Sequence, residues 1–187
     1  MIACILLAAG SASRFGSQKL LARLPDGRRM VEVSAANLFA SGANNVVAVT
    51  RNDAELIQVL ENCGCQVVIN HRADEGMGTS IAAGVAASSA ASGWLIVLGD
   101  MPSIRVETIM AVKSALDKGS RIVVPAKRGQ RGHPVGFSAF YGIRLQALTG
   151  DTGAREILKT DATLVEEIGV DDAGIFADID TPAELKR

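Results

Sequence analysis

The sequence predicts an α/β fold, a doubly wound and mostly parallel sheet with helices on its faces. Three observations carry that expectation. Short runs rich in Val, Ile and Leu alternate with stretches of helical length over most of the 187 residues, the rhythm of strand, crossover helix and strand. The runs are apolar throughout rather than at every second residue, as strands buried on both faces are. Most are bounded by Gly, Asn or Asp, which favour turns.

In chain order, Ile2–Leu7 is the first strand, and a Gly/Ser-rich loop leaves it. Val31–Ala40 has helical length, and Asn45–Thr50 reads as the second strand. Asp53–Asn62 opens on a good helix-capping residue, and Gln66–Asn70 is the third strand. Thr79–Ser92 is a helix whose Ala/Ser-rich body permits close approach to a sheet. Trp94–Leu98, Arg105–Lys118 and Arg121–Pro125 continue as strand, helix and strand. After Pro125 the rhythm changes. Ala126–Pro134 is polar, rich in Gly and Arg, and irregular; a short strand Val135–Phe137 follows, then helical pieces at Phe140–Leu148 and Ala154–Lys159 and a strand at Leu164–Ile168. An extended Ile175–Ile179 and a short helix begun by Thr181-Pro182 close the chain, with Pro in its favoured first turn. No repeat, linker or low-complexity block divides the sequence, so residues 1–187 read as one domain.

Composition excludes several classes of function. With 48% apolar and 21% charged residues the chain can bury a sizeable core. Nineteen Lys and Arg against twenty Asp and Glu leave a net charge of -1, so no bulk positive field draws it to nucleic acid or an anionic membrane. Its apolar runs are far short of the ~20 residues of a membrane span, and Met1–Ala9 lacks a basic leader. Three cysteines, an odd number, make no disulfide framework; the expected compartment is the cytoplasm. Aromatic residues are 4% of the chain, too few for platforms that stack bases. Any anionic ligand must be gripped locally.

The loop after the first strand is the most informative stretch: Leu7-Ala8-Ala9-Gly10, then Arg14-Phe15-Gly16, then Lys19-Leu20-Leu21. Backbone N–H groups of a Gly/Ser-rich turn can nest an anion, and Arg14 and Lys19 supply charge. The spacing fits neither a P-loop nor the G-x-G-x-x-G dinucleotide fingerprint. Further along stand Asn70 with Gly76-Met77 and Ser80, Leu98-Gly99-Asp100-Met101-Pro102, Arg131-Gly132-His133-Pro134-Val135, Gly150-Asp151-Thr152-Gly153-Ala154-Arg155 and Asp178-Ile179-Asp180-Thr181-Pro182. Asp100 ends an apolar strand, where a carboxylate can hold Mg²⁺ or cap the next helix. Asp178 and Asp180, two apart on an extended segment, would face the same way. Asn70 suits either the edge of a base or a capped turn. Arg131 and His133 could meet a phosphate beside a Gly-Pro turn, with Lys127 and Arg128 adding charge, although a single histidine is often structural. Gly150–Arg155 reads as a second Gly-rich turn or as a plain helix start.

Together these motifs, in this order, resemble the MobA-like NTP transferases, and within them the molybdenum cofactor cytidylyltransferases are nearest, through Leu7-Ala8-Ala9-Gly10 and the Lys19-Leu20-Leu21 that follows Arg14-Phe15-Gly16. The resemblance implies a Rossmann-like nucleotidyltransferase fold, residues 1–125 as the nucleotide-binding half and 126–187 as an irregular acceptor-binding half. It implies Mg²⁺ on Asp100 and Asp180 with Asp178 in support, and Arg14 and Lys19 on the triphosphate. Leu7, Ala8, Ala9, Gly10, Thr50, Asn70, Gly76 and Ser80 would lie about the nucleotide, and Arg131, His133, Gly153 and Arg155 about the acceptor. The implied partners are CTP, or GTP, and a phosphorylated small molecule, molybdopterin, with a molybdoenzyme as recipient of the product. Guanylyl transfer, a sugar or polyol phosphate acceptor, and a non-catalytic nucleotide-sensing or cofactor-delivery module are the other readings.

Overall fold

The computed structural model describes residues 1–10, 18–151, 153–181 and 183–186. Its elements run β1 (Ile2–Ala8), α1 (Met30–Ala40), β2 (Val46–Thr50), α2 (Ala54–Asn62), β3 (Gln66–Ile69), α3 (Met77–Ala87), β4 (Gly93–Leu98), α4 (Val106–Asp117), β5 (Ile122–Lys127), β6 (Gln130–Arg131), β7 (Val135–Ser138), α5 (Gly142–Gln146), α6 (Arg155–Thr160) and β8 (Val165–Gly169).

All eight strands join one sheet in the order β3-β2-β1-β4-β7-β5-β6, with β8 paired to β5. β1 is parallel to both β2 and β4, with Leu7 opposite Val49 on one side and Leu98 on the other. The order reverses there: β1 to β3 step outward in one direction, and β4 returns to the far side of β1. Two central strands that part company beyond their carboxyl ends leave a crevice, the usual ligand position in such sheets.

Every residue of β1 is buried, and the strand divides its side chains as a central strand must. Cys4, Leu6 and Ala8 join the core under α1, α2 and α4, while Ala3, Ile5 and Leu7 pack with α3, α5 and α6. Gly84 of α3 shows why that helix is built of small residues: a Cβ there would stand 2.6 Å from Ile5.

The expected α/β architecture is observed, with corrections after residue 87. α3 ends at Ala87 rather than at Ser92. The Ser88 hydroxyl donates to Gly84 O and accepts the indole N–H of Trp94, so it closes the helix where an Ala/Ser run gives no stop signal. The segment 126–134 is less irregular than its composition suggests. Arg128 and Gly129, both at positive φ, make the two-residue turn of a β5–β6 hairpin, and β7 is threaded antiparallel between β4 and β5. The C-terminal segment is therefore woven into the same sheet. Ile175–Ile179 is not a strand: Ala173–Phe176 forms a 3₁₀ turn capped by Asp172, and the chain touches the end of β4 through one bond, Ile179 N–H to Asp100 O at 3.1 Å. The closing helical turn is Glu184–Lys186, later than Thr181-Pro182; the Glu184 carboxylate accepts the backbone N–H groups of Asp180 and Thr181, and Pro182 lies outside the described residues. Among those residues, no helix is long and apolar enough to cross a membrane.

Candidate active site

The crevice beyond β1 and β4 is built from backbone outward. Gly99 N–H donates to Leu7 O at 2.9 Å, continuing the β1–β4 pairing by one bond. A Cβ on Gly99 would press to 3.0 Å from that carbonyl, so glycine lets the chain turn hard against β1 and present Asp100. From the other face the Ser34 hydroxyl holds Gly99 O at 2.9 Å.

Asp100 meets a partner from the loop and another from the tail. Lys19 Nζ donates to Asp100 Oδ2 at 2.9 Å and to Asp180 Oδ1 at 2.7 Å. Three segments distant in sequence thus converge on one ammonium, whose side chain is 13% exposed. Burial works against that charge, but the two carboxylates outweigh it and hold the Lys19 pKa above its usual value. Asp100 Oδ1 is buried with no hydrogen-bond partner. Two carboxylates about a single cationic point, one with an oxygen still unused, are a donor set suited to a hard divalent ion, which takes oxygen ligands and often only one or two from protein. Asp178 does not join them. It is exposed and lines a separate groove with Leu24, Pro102 and Leu185, because the tail at this point is not the extended strand that would align it with Asp180.

Two clefts open beside one another here, and the first of them reaches Asp100. One, of about 390 Å³, is lined by Leu7, Ala9, Gly10, Arg51, Gly76, Ser80, Leu98 and Asp100 among others. The nucleotide-side candidates fall into two groups here. Leu7, Ala9, Gly10, Gly76 and Ser80 line the space. Ala8 and Thr50 lie beneath it: Thr50 is fully buried and its hydroxyl donates to Ala8 O at 3.4 Å. Asn70 braces the wall. Its amide donates to the hydroxyls of Thr79 and Ser80 at 2.9 and 3.0 Å, and its oxygen accepts Arg72 N–H. The side chain therefore holds the turn into α3, the capped-turn alternative, rather than presenting its donors and acceptor to a base. Gly76 is required by space as well as by its φ of 109°, since a Cβ would stand 2.3 Å from Gly150. Arg14 lies outside the described residues.

The second cleft, of about 460 Å³, has an apolar floor that includes Ile96, Val124 and Val135, with Arg131, His133, Gly153 and Arg155 at its wall. All four acceptor-side candidates are thus brought together. Arg131 is also tied to Glu167 of β8 at 2.7 Å, so its charge is partly spent within the protein. His133 Nδ1 is buried and unpartnered. Burial lowers the His133 pKa, against the opposing pull of Asp100 and Asp178, so it is neutral at physiological pH. Lys127 and Arg128 do not add to this wall: Lys127 pairs with Asp171, and Arg128 sits at the exposed hairpin turn. Met77, Leu98 and Asp151 line both clefts and form the ridge between them.

Sequence reasoning missed Arg51 and Gln18. Arg51 follows the end of β2, donates to Ala9 O at 2.8 Å and pairs with Asp74 across the mouth of the first cleft; its place just beyond a strand's carboxyl end was the available signal. Gln18 donates to Asp53 Oδ2 at 3.0 Å while Asp53 Oδ1 caps α2, which pins the returning loop to that helix. Nothing in the spacing announces that pair.

Comparison with known proteins is consistent with this geometry. The family model described as MobA-like NTP transferase domain matches residues 4–166. Nicotine blue oxidoreductase of Paenarthrobacter nicotinovorans is 30% identical, covering 98% of this chain and 94% of its own. Molybdenum cofactor cytidylyltransferase of Escherichia coli is 28% identical, covering 98% and 93%. Among solved structures, a nucleotidyl transferase from Methanothermobacter superposes with a TM-score of 0.83 at 22% identity, over 98% of this chain and 94% of that one. Rv0371c from Mycobacterium tuberculosis superposes with a TM-score of 0.81 at 23% identity over the same shares.

Proposed function

Because the chain belongs to the MobA-like NTP transferase family, we propose that it transfers CMP from CTP to the phosphate of a small-molecule acceptor, molybdopterin, and releases pyrophosphate. The observation that carries this reading is the convergence of Asp100 and Asp180 on one cationic point, with Asp100 on the wall of one cleft and a second cleft adjoining it. Charge neutralisation and positioning are what attack on an α-phosphate requires.

In this reading Asp100 and Asp180 hold a divalent ion, Mg²⁺ or Mn²⁺; when bound, it neutralises charge on the α-phosphate and polarises it for in-line attack. A related structure, Rv0371c, is a manganese complex, at 22% identity. The backbone at Ala9 and Gly10 and the Ser80 wall receive the nucleoside. Lys19 and Arg14 steady the triphosphate and the departing pyrophosphate. Arg155 and Arg131 attract the acceptor phosphate, and neutral His133 offers it a hydrogen bond. No general base is needed, because a phosphate acceptor is already ionised. The apolar floor of the second cleft suits a flat, weakly polar body behind that phosphate. Residues 1–125 supply most of the nucleotide side and residues 126–187 most of the acceptor side, while Asp180 joins the metal site from the second part and Ile96 and Val124 floor the acceptor cleft from the first.

The 30% identical relative is named an oxidoreductase, which raises a second reading. The sequence lacks the G-x-G-x-x-G fingerprint of dinucleotide cofactors, and the family match is to NTP transferases, so nucleotidyl transfer is the favoured reading. The test supplies molybdopterin with each NTP in turn and Mg²⁺, and weighs the product. A cytidine dinucleotide establishes base and acceptor together. A guanosine dinucleotide would replace CTP by GTP, and product only with a sugar or polyol phosphate would replace the acceptor. Nucleotide binding without pyrophosphate release for any acceptor would make the chain a sensing or delivery module.

A further inference from the structure

Lys19 stands where a metal ion would be expected. Its ammonium lies 2.9 Å from Asp100 and 2.7 Å from Asp180 and bridges the two carboxylates. We propose that Lys19 is a resident counter-cation that holds the two carboxylates together before substrate arrives and competes with a free divalent ion for them. The proposal rests on the nucleotidyltransferase reading above and adds an order of binding to it.

Two carboxylates held this close repel one another unless a cation lies between them. The Lys19 ammonium performs that service, which keeps the C-terminal tail against β4 and the two acids pre-positioned. It also places positive charge between them, so a free divalent ion meets a site already occupied. A polyphosphate changes the balance. Its oxygens offer the ammonium an alternative partner a short side-chain rotation away, because Lys is a flexible point charge with rotatable donors. Once the ammonium moves to phosphate, both carboxylates are released to the ion that accompanies the nucleotide. The site therefore loads nucleotide and metal together and resists metal alone.

The experiment measures Mn²⁺ binding by electron paramagnetic resonance, with and without CTP, on the wild-type chain and on Lys19→Gln and Lys19→Met. Glutamine retains an N–H donor for the carboxylates and methionine retains the length, so the loss of charge is tested on two differently packed backgrounds, each checked for folding by circular dichroism. The expected result is weak Mn²⁺ binding to the wild-type chain alone and at least tenfold tighter binding to either neutral variant alone. That gain should vanish when Asp100→Asn is added. Unchanged or weaker Mn²⁺ binding in the folded neutral variants, while the wild-type chain still binds Mn²⁺ with CTP, overturns the counter-cation proposal and leaves the proposed function standing. No Mn²⁺ binding by any form, even with CTP, overturns the metal site itself and the proposal with it.

Discussion

At the scale of the residue, Asp100 is the most exacting position. Its backbone is fixed by Gly99 and Ser34, one carboxylate oxygen is committed to Lys19, and the other is buried without a partner. Asp100→Asn retains the shape and one acceptor oxygen but removes the charge. It is expected to lower kcat/KM by about 10²-fold or more, the scale of removing one electrostatic stabiliser from an active site. The thermal midpoint should move little, and steady-state kinetics beside calorimetry checks the pair of outcomes. Asp100 was legible in the sequence because it ends an apolar strand, where the fold class alone predicts a ligand. Asp180 was legible only through the resemblance, since the partners that place it, Lys19 and Glu184, include one from 161 residues away. The resemblance ranked Asp180 above Asp178, but the separation of the two was not legible: alternation along an assumed strand had them face the same way, whereas the tail there is not extended and Asp178 lines a separate groove.

At the scale of the element, the tail that delivers Asp180 is held by a buried aspartate. Asp172 accepts Arg105 N–H at 2.9 Å, the Thr108 hydroxyl at 2.7 Å and Gly174 N–H at 2.8 Å, so it caps α4 from outside that helix while turning its own chain. Asp172→Ala strands those donors, a loss on the order of 1–3 kcal/mol. In a chain of this size that lowers the thermal midpoint by several degrees, which differential scanning calorimetry will register. Gly174 is wedged against the loop between β4 and α4: a Cβ would stand 2.1 Å from Ser103 O. Gly174→Ala must push the tail outward, and a displacement near 1 Å at a reacting centre costs about 10²-fold in rate. Its kcat should therefore fall much further than its stability, and an equal, small fall in both would separate the tail from catalysis. A second tie lies behind the acceptor cleft, where Tyr141 of the turn before α5 donates to Asp161 at 2.8 Å and Arg144 pairs with the same carboxylate at 2.7 Å. Burial raises the Tyr141 pKa to about 12, with the bond to Asp161 adding to it. A pKa raised on folding contributes stability that is whole below the unfolded value near 10 and is lost as pH rises through about 12. Tyr141→Phe should flatten the alkaline limb of the stability curve between those values, measured by urea unfolding at each pH.

At the scale of the whole molecule, the parallel core was legible because its strands are short, continuous and apolar, and the crossover helices are long enough to carry a period. The β5–β6 hairpin and β8 were harder. The two residues of β6 are exposed and write no apolar pattern into the sequence; β8, exposed or half-buried along its length, was still legible to within one residue, as Leu164–Ile168 against Val165–Gly169, but its pairing with β5 was not. The threading of β7 between β4 and β5 is a matter of topology that no local signal carries. The net charge of -1 conceals a polarised crevice: Arg51, Arg131 and Arg155 line two adjoining clefts, the first of which reaches the acidic centre at Asp100. Neutrality overall with separated charge locally suits the proposed function, binding an anionic nucleotide without gathering nucleic acid.

The central claim is that the α-phosphorus of CTP passes to the acceptor at the point where Asp100 and Asp180 converge. It is tested most directly by following the label from [α-³²P]CTP and [γ-³²P]CTP in parallel, with molybdopterin and Mg²⁺ and with wild-type or Asp100→Asn protein. The account predicts that the α label enters the dinucleotide product, that the γ label leaves as pyrophosphate, and that Asp100→Asn suppresses both. Label that stays in CTP whichever acceptor is supplied, or a γ label found in the acceptor, would contradict it.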